Sequence, residues 1–90
     1  MHMQASNKQK IERRLKIIAG QIRGLQEMVG NDTYCIDVIT QTSAVKQALT
    51  VIEDMMMESH LSTCVIRQIK GGQEEKATAE ILKVYGLKRK

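Results

Sequence analysis

The chain is 90 residues long, carries a net charge of +4 at pH 7 and contains no Phe, no Trp and no Pro. A chain of this length forms one small domain with a marginal core, and an aliphatic composition without proline favours packed helices. No apolar stretch reaches bilayer-spanning length and no secretory signal is visible, so we expect a cytoplasmic protein with no membrane partner and reduced cysteines.

The first predicted helix covers residues 7–29. Its apolar residues recur every three or four positions, which is a strong helical signal: Ile11, Leu15, Ile18, Ile22, Leu25 and Val29. Residues 1–30 hold six basic and two acidic side chains, whereas residues 31–90 hold eight of each. This uneven charge indicates either a polyanionic partner such as nucleic acid or a solvated face. We expect residues 1–6 to be flexible or partly a cloning tag, and the whole of 1–90 to be one domain.

A second, much longer helix is predicted over residues 33–70, which contain neither Gly nor Pro. We expect Asn31 or Asp32 to be its N-cap and the region 59–63 to be its weakest point. A helix of this length would span about 55 Å. The pair Gly71–Gly72 then predicts a break, followed by a third helix over residues 73–85.

The long helix cannot be covered by the two shorter helices of one small chain. Helical patterns that run well past about 25 residues indicate association with another helix. We therefore expect an all-α fold with three helices per protomer, in which the long central helices of two chains pair antiparallel. Dimerisation is then a condition of folding.

Two cysteines and one histidine form the candidate constellation. His60 and Cys64 are four residues apart and so share one face of a helix. Cys35 lies 25 residues before His60, about 37 Å away along an unbroken helix. In an antiparallel pair, however, Cys35 of one protomer could face His60 and Cys64 of its partner, and a two-fold axis would create two such sites.

Two thiolates and one imidazole are soft donors that select Cu(I) or Zn(II) over hard cations. Because Zn(II) prefers four ligands and no fourth donor is evident, this set favours Cu(I). Neither cysteine has the sequence surroundings of a catalytic nucleophile, so we do not expect an enzyme. The alternatives at this point are a pair of unrelated core cysteines with a surface histidine, as in a structural or interaction module.

The stretches "RRLKIIAGQIRGLQEMV", "YCIDVITQTSAV" and "ESHLSTCV" together resemble the CsoR-type family of metal- and stress-sensing repressors, over roughly residues 11–85. The resemblance implies an all-α dimer that assembles as a dimer of dimers, a homotetramer, and represses transcription on double-stranded operator DNA. The pattern Cys35, His60 and Cys64 is similar to that of the family's copper branch.

The resemblance also implies roles for residues beyond the three metal ligands. Tyr34 and Glu80 match positions that support the ligands in the copper branch, where Glu80 would accept the free ring N–H of the histidine. The residues carried over as DNA contacts are Arg13, Arg14, Lys16 and Lys46. The chain departs from the family in having Ala19 where a charged residue is common.

These observations predict a Cu(I)-responsive repressor that binds operator DNA without metal and is released when Cu(I) binds. The main alternative is a thiol-based persulfide or redox sensor of the same fold, which would use Cys35 and Cys64. Both functions need the two cysteines close together, but only the metal-sensing function needs His60.

Overall fold

The computed structural model describes residues 5–89, and their regular structure is entirely helical. The elements in chain order are α1 (Ala5–Gly30), α2 (Cys35–Ser59), a π-helical segment (His60–Cys64), α3 (Val65–Lys70) and α4 (Glu74–Lys88). This confirms the predicted all-α protomer with a long central helix. Residues 1–4, which hold most of the expected tag-derived stretch and His2, lie outside the described residues.

The three elements between Cys35 and Lys70 form one continuous rod, which we call the central rod. The backbone at both junctions stays in the right-handed helical region, with φ of −62° at His60 and −63° at Cys64. The rod was expected to span about 55 Å, and the longest principal extent of the chain is 55 Å. The predicted weak point, residues 59–63, coincides with the π-helical segment rather than with a break.

The turn between α1 and α2 corrects the predicted N-cap. The Thr33 N–H donates to the Met28 carbonyl oxygen (2.9 Å) and the Asp32 N–H donates to that of Val29 (3.2 Å), the two bonds of a Schellman motif. Asp32 has a φ of +55° and therefore ends α1 instead of starting α2. The residue that precedes α2 is Tyr34, whose side chain makes no cap hydrogen bond among the described residues.

The same motif ends the central rod at the predicted glycine pair. The Gln73 N–H donates to the Gln68 carbonyl oxygen (2.7 Å) and the Gly72 N–H donates to that of Ile69 (3.1 Å). Gly72 has a φ of +77°, a conformation that glycine adopts without a Cβ clash. The chain therefore reverses here and returns α4 towards the rod.

The core lies between α1 and α2, which pack as an antiparallel hairpin joined by a four-residue connection. Its buried residues, the hairpin core, are Ile11, Ile18, Val45 and Ile52. They are seven positions apart on each helix, so they form a facing pair of heptad stripes. Packed against them are Leu25, Ala48 and Met55. Helix α4 adds only one buried residue, Ala77.

The protomer leaves much of its apolar surface uncovered. No side chain among residues 7–89 is fully buried. Large hydrophobic side chains stay exposed on every helix, among them Ile17, Val29, Ile36, Ile39, Leu49, Ile66, Leu82 and Leu87. Apolar exposure on this scale is typical of a surface that another chain covers. No helix within residues 5–89 combines the length and the apolar character that crossing a membrane requires.

Candidate metal centre

The π-helical segment carries both His60 and Cys64. The Val65 N–H donates to the His60 carbonyl oxygen, which is the five-residue hydrogen bond that defines a π-turn. Hydroxyls of this segment donate to carbonyl oxygens one turn earlier, as the threonine hydroxyls of α2 also do. The Thr63 hydroxyl donates to the Ser59 carbonyl oxygen (2.6 Å), and the Ser62 hydroxyl donates to that of Glu58 (2.8 Å). Single π-turns inside α-helices are frequent at functional sites.

His60 and Cys64 open onto a pocket between the central rod and α4, with a volume of about 380 Å³. We call it the α2–α4 pocket. The rod contributes Glu53, Met56, Met57, Ser59, His60 and Cys64, and α4 contributes Glu80, Ile81, Val84 and Leu87. The fold thus brings together three of the predicted site residues: His60, Cys64 and Glu80. Besides these donors, the pocket lining is largely aliphatic and methionine side chains.

Cys35 and Tyr34 lie at the opposite end of the rod. Both side chains are exposed, Tyr34 to 68%. Because the rod between Cys35 and His60 is unbroken, their separation follows the helical rise and is about 37 Å. Within residues 5–89 of one chain, no three His, Cys, Asp or Glu side chains form a group that could hold a metal ion. A single protomer therefore brings only two of the three predicted donors to the pocket.

Glu80 has a hydrogen-bond partner that the sequence interpretation missed. Gln68 Nε2 donates to Glu80 Oε1 at 2.9 Å, so α3 holds the carboxylate at the edge of the pocket. The other amide atom, Gln68 Oε1, is buried and has no hydrogen-bond partner among the described residues. The signal for Gln68 was its position four residues after Cys64, which places it on the same side of the rod.

A second contact fixes the far end of α4 beside the pocket. Lys88 Nζ lies 3.4 Å from Glu53 Oε1 and 3.4 Å from Asp54 Oδ1. Loss of solvation acts to lower the pKa of Lys88, but the hydrogen bond and charge of Asp54 and the charge of Glu53 outweigh it. The pKa of Lys88 is therefore raised above its ordinary value.

The predicted DNA contacts are solvent-exposed cations on the hairpin. Arg13, Arg14 and Lys16 lie in the first half of α1, and Lys46 lies on α2. Arg13 and Lys16 share a shallow depression with Gln9 and Glu12, on the side of α1 that turns away from Ile11 and Ile18. Arg13 and Lys16 thus face away from the hairpin core, whereas Arg14 is exposed at the border of the buried stripe, three residues after Ile11 and four before Ile18.

Comparison with known proteins assigns the chain to a family. The family model described as "Metal-sensitive transcriptional repressor" matches residues 7–86, and the chain belongs to this family. This confirms the resemblance found in the sequence and the expectation of a regulator instead of an enzyme.

Individual relatives agree with this assignment. The chain is 43% identical to the copper-sensing transcriptional repressor CsoR of Bacillus subtilis, over 93% of this chain and 83% of that protein. It is 41% identical to the copper-sensing transcriptional repressor RicR of Mycobacterium tuberculosis, over 79% of this chain and 74% of that protein. The crystal structure of the copper-sensing repressor CsoR with Cu(I) from Geobacillus thermodenitrificans NG80-2 is similar to it, with a TM-score of 0.91. That structure is 34% identical, and the alignment covers 100% of this chain and 94% of that one.

Proposed function

We propose that this metal-sensitive repressor responds to Cu(I), which Cys35 of one protomer binds together with His60 and Cys64 of the partner. The observation that carries the proposal is the distribution of donors along the rod. His60 and Cys64 line one pocket, whereas Cys35 is exposed at the far end of the same unbroken helix. The copper-sensing functions of the relatives support the choice of metal.

The donors fit Cu(I) by their chemistry. Two thiolates and an imidazole form a soft set, and three donors satisfy Cu(I), whereas Zn(II) prefers a fourth. Bound Cu(I) would serve as the crosslink between subunits. The thiols of Cys35 and Cys64 would lose their protons on binding, and Glu80 would accept the free ring N–H of His60, which orients the imidazole.

The proposed assembly is an antiparallel dimer, paired again into a tetramer. Twenty-five residues correspond to nearly seven helical turns, so Cys35 and His60 point to similar sides of the rod. The exposed apolar residues Ile39 and Leu49 lie between them on the same rod, and a second rod would cover them. Two-fold symmetry then places each Cys35 beside the partner's pocket and creates two equal sites.

In the proposed mechanism the metal-free protein holds operator DNA through phosphate contacts. Arg13, Arg14, Lys16 and Lys46 would make these contacts, so affinity should fall steeply as salt rises. Metal binding draws α4 towards His60 through Glu80 and changes the geometry of the basic surface. If this weakens DNA binding, linkage requires that DNA weakens metal binding by the same factor.

The cytoplasmic location and the single domain over residues 1–90 stay predictions.

A mixed-dimer experiment tests the site. The variants Cys35→Ala and Cys64→Ala should each lose tight Cu(I) binding while keeping DNA binding. When the two chains are mixed and refolded together, a heterodimer regains one intact site, with Cys35 from one chain and His60 and Cys64 from the other. Random mixing should restore about a quarter of the wild-type sites. No recovery on mixing, or Cu(I)-driven DNA release by Cys35→Ala alone, would contradict the intersubunit site.

The variant His60→Asn separates the proposal from a persulfide sensor. An amide does not replace imidazole as a Cu(I) ligand, so this variant should not respond to Cu(I) in a DNA-binding assay. A persulfide sensor needs only Cys35 and Cys64, and its response to polysulfide should survive the substitution. A retained Cu(I) response in His60→Asn would exclude His60 as a ligand. A response to polysulfide but not to Cu(I) in the unsubstituted protein would favour the persulfide sensor over the proposed function.

A further inference from the structure

We propose that Met57 is an additional Cu(I) ligand, which with His60 and Cys64 of the same protomer forms a three-donor loading site. This site would bind Cu(I) before the partner's Cys35 completes the intersubunit site. The inference rests on the proposed function and deepens it, because it names a route by which the metal enters the sensing site.

The methionines are concentrated beside the ligands. Three of the six methionines in the chain are consecutive, at positions 55–57. The fold separates their roles: Met55 packs against the hairpin core, whereas Met56 and Met57 line the α2–α4 pocket. Two of the three consecutive methionines therefore line the cavity that His60 and Cys64 also line.

Met57 differs from Met56 in its burial, although both lie on the side of the helix that carries His60 and Cys64. Met57 precedes His60 by three residues and Cys64 by seven, the spacings that recur along one helical face. Met56 precedes His60 by four residues and Cys64 by eight, which also lie on this face, but it is more exposed, at 37%. Met57 is half-buried and lines the same pocket as His60 and Cys64.

The thioether is chemically suited to a loading role. Thioether sulfur is a soft ligand that selects Cu(I), and it has no proton to lose when it binds. At the loading step Cys64 gives its thiol proton to solvent, the donor that delivered Cu(I) leaves, and no electron is transferred. At the closing step the partner's Cys35 loses its proton and replaces the thioether, so three donors are kept throughout.

Met57 could instead be only an apolar wall of the pocket, beside Ile81 and Val84. Leucine fills such a wall almost as well, because a Met-to-Leu exchange conserves volume, but it offers no sulfur. The substitution Met57→Leu therefore removes the proposed ligand and keeps the proposed wall. Met55→Leu is the matched control, since Met55 belongs to the same run and packs away from the pocket.

The experiment uses the full chain with Cys35→Ala, in which only the loading site remains. Anaerobic titration of Cu(I) against a chromophoric chelator should show one weak site per protomer. Adding Met57→Leu should lower the affinity of this site by roughly tenfold or more, the scale expected when a metal-site group is lost. Adding Met55→Leu should leave it unchanged. X-ray absorption of the Cys35→Ala protein should show two sulfur donors and one nitrogen, and the Met57→Leu form should lose one sulfur.

The outcomes separate the two proposals. The loading site would be overturned if the Cys35→Ala protein bound Cu(I) with the same affinity and the same sulfur coordination with and without Met57. It would also be overturned if the Cys35→Ala protein did not bind Cu(I). The single variant Met57→Leu should still bind Cu(I) tightly, because the partner's Cys35 completes its site. If the unsubstituted protein itself failed to bind Cu(I), the proposed function would fall, whatever Met57 does.

Discussion

The central rod is packed differently in the middle of α2 and around the π-turn. In its middle, Val45 and Ile52 face Ile11 and Ile18 in an aliphatic core in which each side chain is at most 6% exposed. Towards the π-turn, the rod faces α4 across an open pocket. There the contacts that hold the helices include a hydrogen bond from Gln68 to Glu80 and the ion pairs of Lys88.

This contrast indicates that different parts of the central rod serve stability and exchangeable contacts. Apolar burial stabilises the hairpin by about 25 cal/mol per Å² and does not depend on a ligand. Exposed polar contacts contribute little each, and a partner or a metal can exchange them. The region that the proposed function assigns to Cu(I) sensing is thus the region whose packing is the least complete, as expected for switching elements.

The largest expected effect concerns the hairpin core. Ile18 is 4% exposed, so Ile18→Ala should lower the free energy of unfolding by about 2–5 kcal/mol through lost burial and the cavity it leaves. The measurement is urea unfolding at fixed protein concentration, because association contributes to apparent stability. Ile17→Ala is the matched control, since Ile17 is 59% exposed. A larger loss at Ile17 than at Ile18 would show that the hairpin core does not dominate stability.

The sequence predicted those parts of the molecule that depend on local patterns. Helical periodicity gave α1 and the central rod, and the four-residue spacing placed His60 and Cys64 together. The glycine pair predicted the end of the rod, because few other residues adopt a φ of +77° easily.

The N-cap prediction for α2 failed because the same residue types occur in two kinds of helix end. Asn and Asp are favoured both as N-caps and in the left-handed conformation. The sequence alone did not show that Asp32 ends α1. Gln68 was missed for another reason: its bond to Glu80 exists only because the turn at Gly72 returns α4 to the rod. The full metal site stays a prediction, because Cys35 reaches the other donors only through a second chain.

An intermediate effect is expected at Gln68, whose side-chain amide donates a hydrogen bond to the carboxylate of Glu80. In Gln68→Ala this carboxylate loses the hydrogen bond that holds it at the edge of the pocket, so it can turn towards His60 more easily. The affinity for Cu(I) should then rise by about twofold to tenfold, the equivalent of one net hydrogen bond. Chelator competition measures this affinity, with Gln47→Ala as an exposed glutamine control on the same rod.

The variants of Glu80 and Gln68 should differ in how Cu(I) releases them from DNA. Glu80→Ala should still bind Cu(I) but release DNA weakly, because α4 is no longer drawn to His60. Gln68→Ala should release DNA at a lower Cu(I) concentration than the unsubstituted protein. A lower Cu(I) affinity in Gln68→Ala would mean that Gln68 positions Glu80 for the metal site instead of competing for it.

The smallest effect is expected at Lys88, whose two ion pairs are solvent-exposed. Lys88→Met should speed hydrogen exchange near the end of α4 and leave the amides around Ile18 and Val45 unchanged. Because the folded-state pKa of Lys88 is raised, its contribution is present at neutral pH and is lost as pH rises through that pKa. High salt should reproduce the effect in the unsubstituted protein by screening the pairs. Lys83→Met, which changes another exposed lysine of α4, is the control. Equal protection of α4 in both variants would show that α4 is held by its apolar contacts alone.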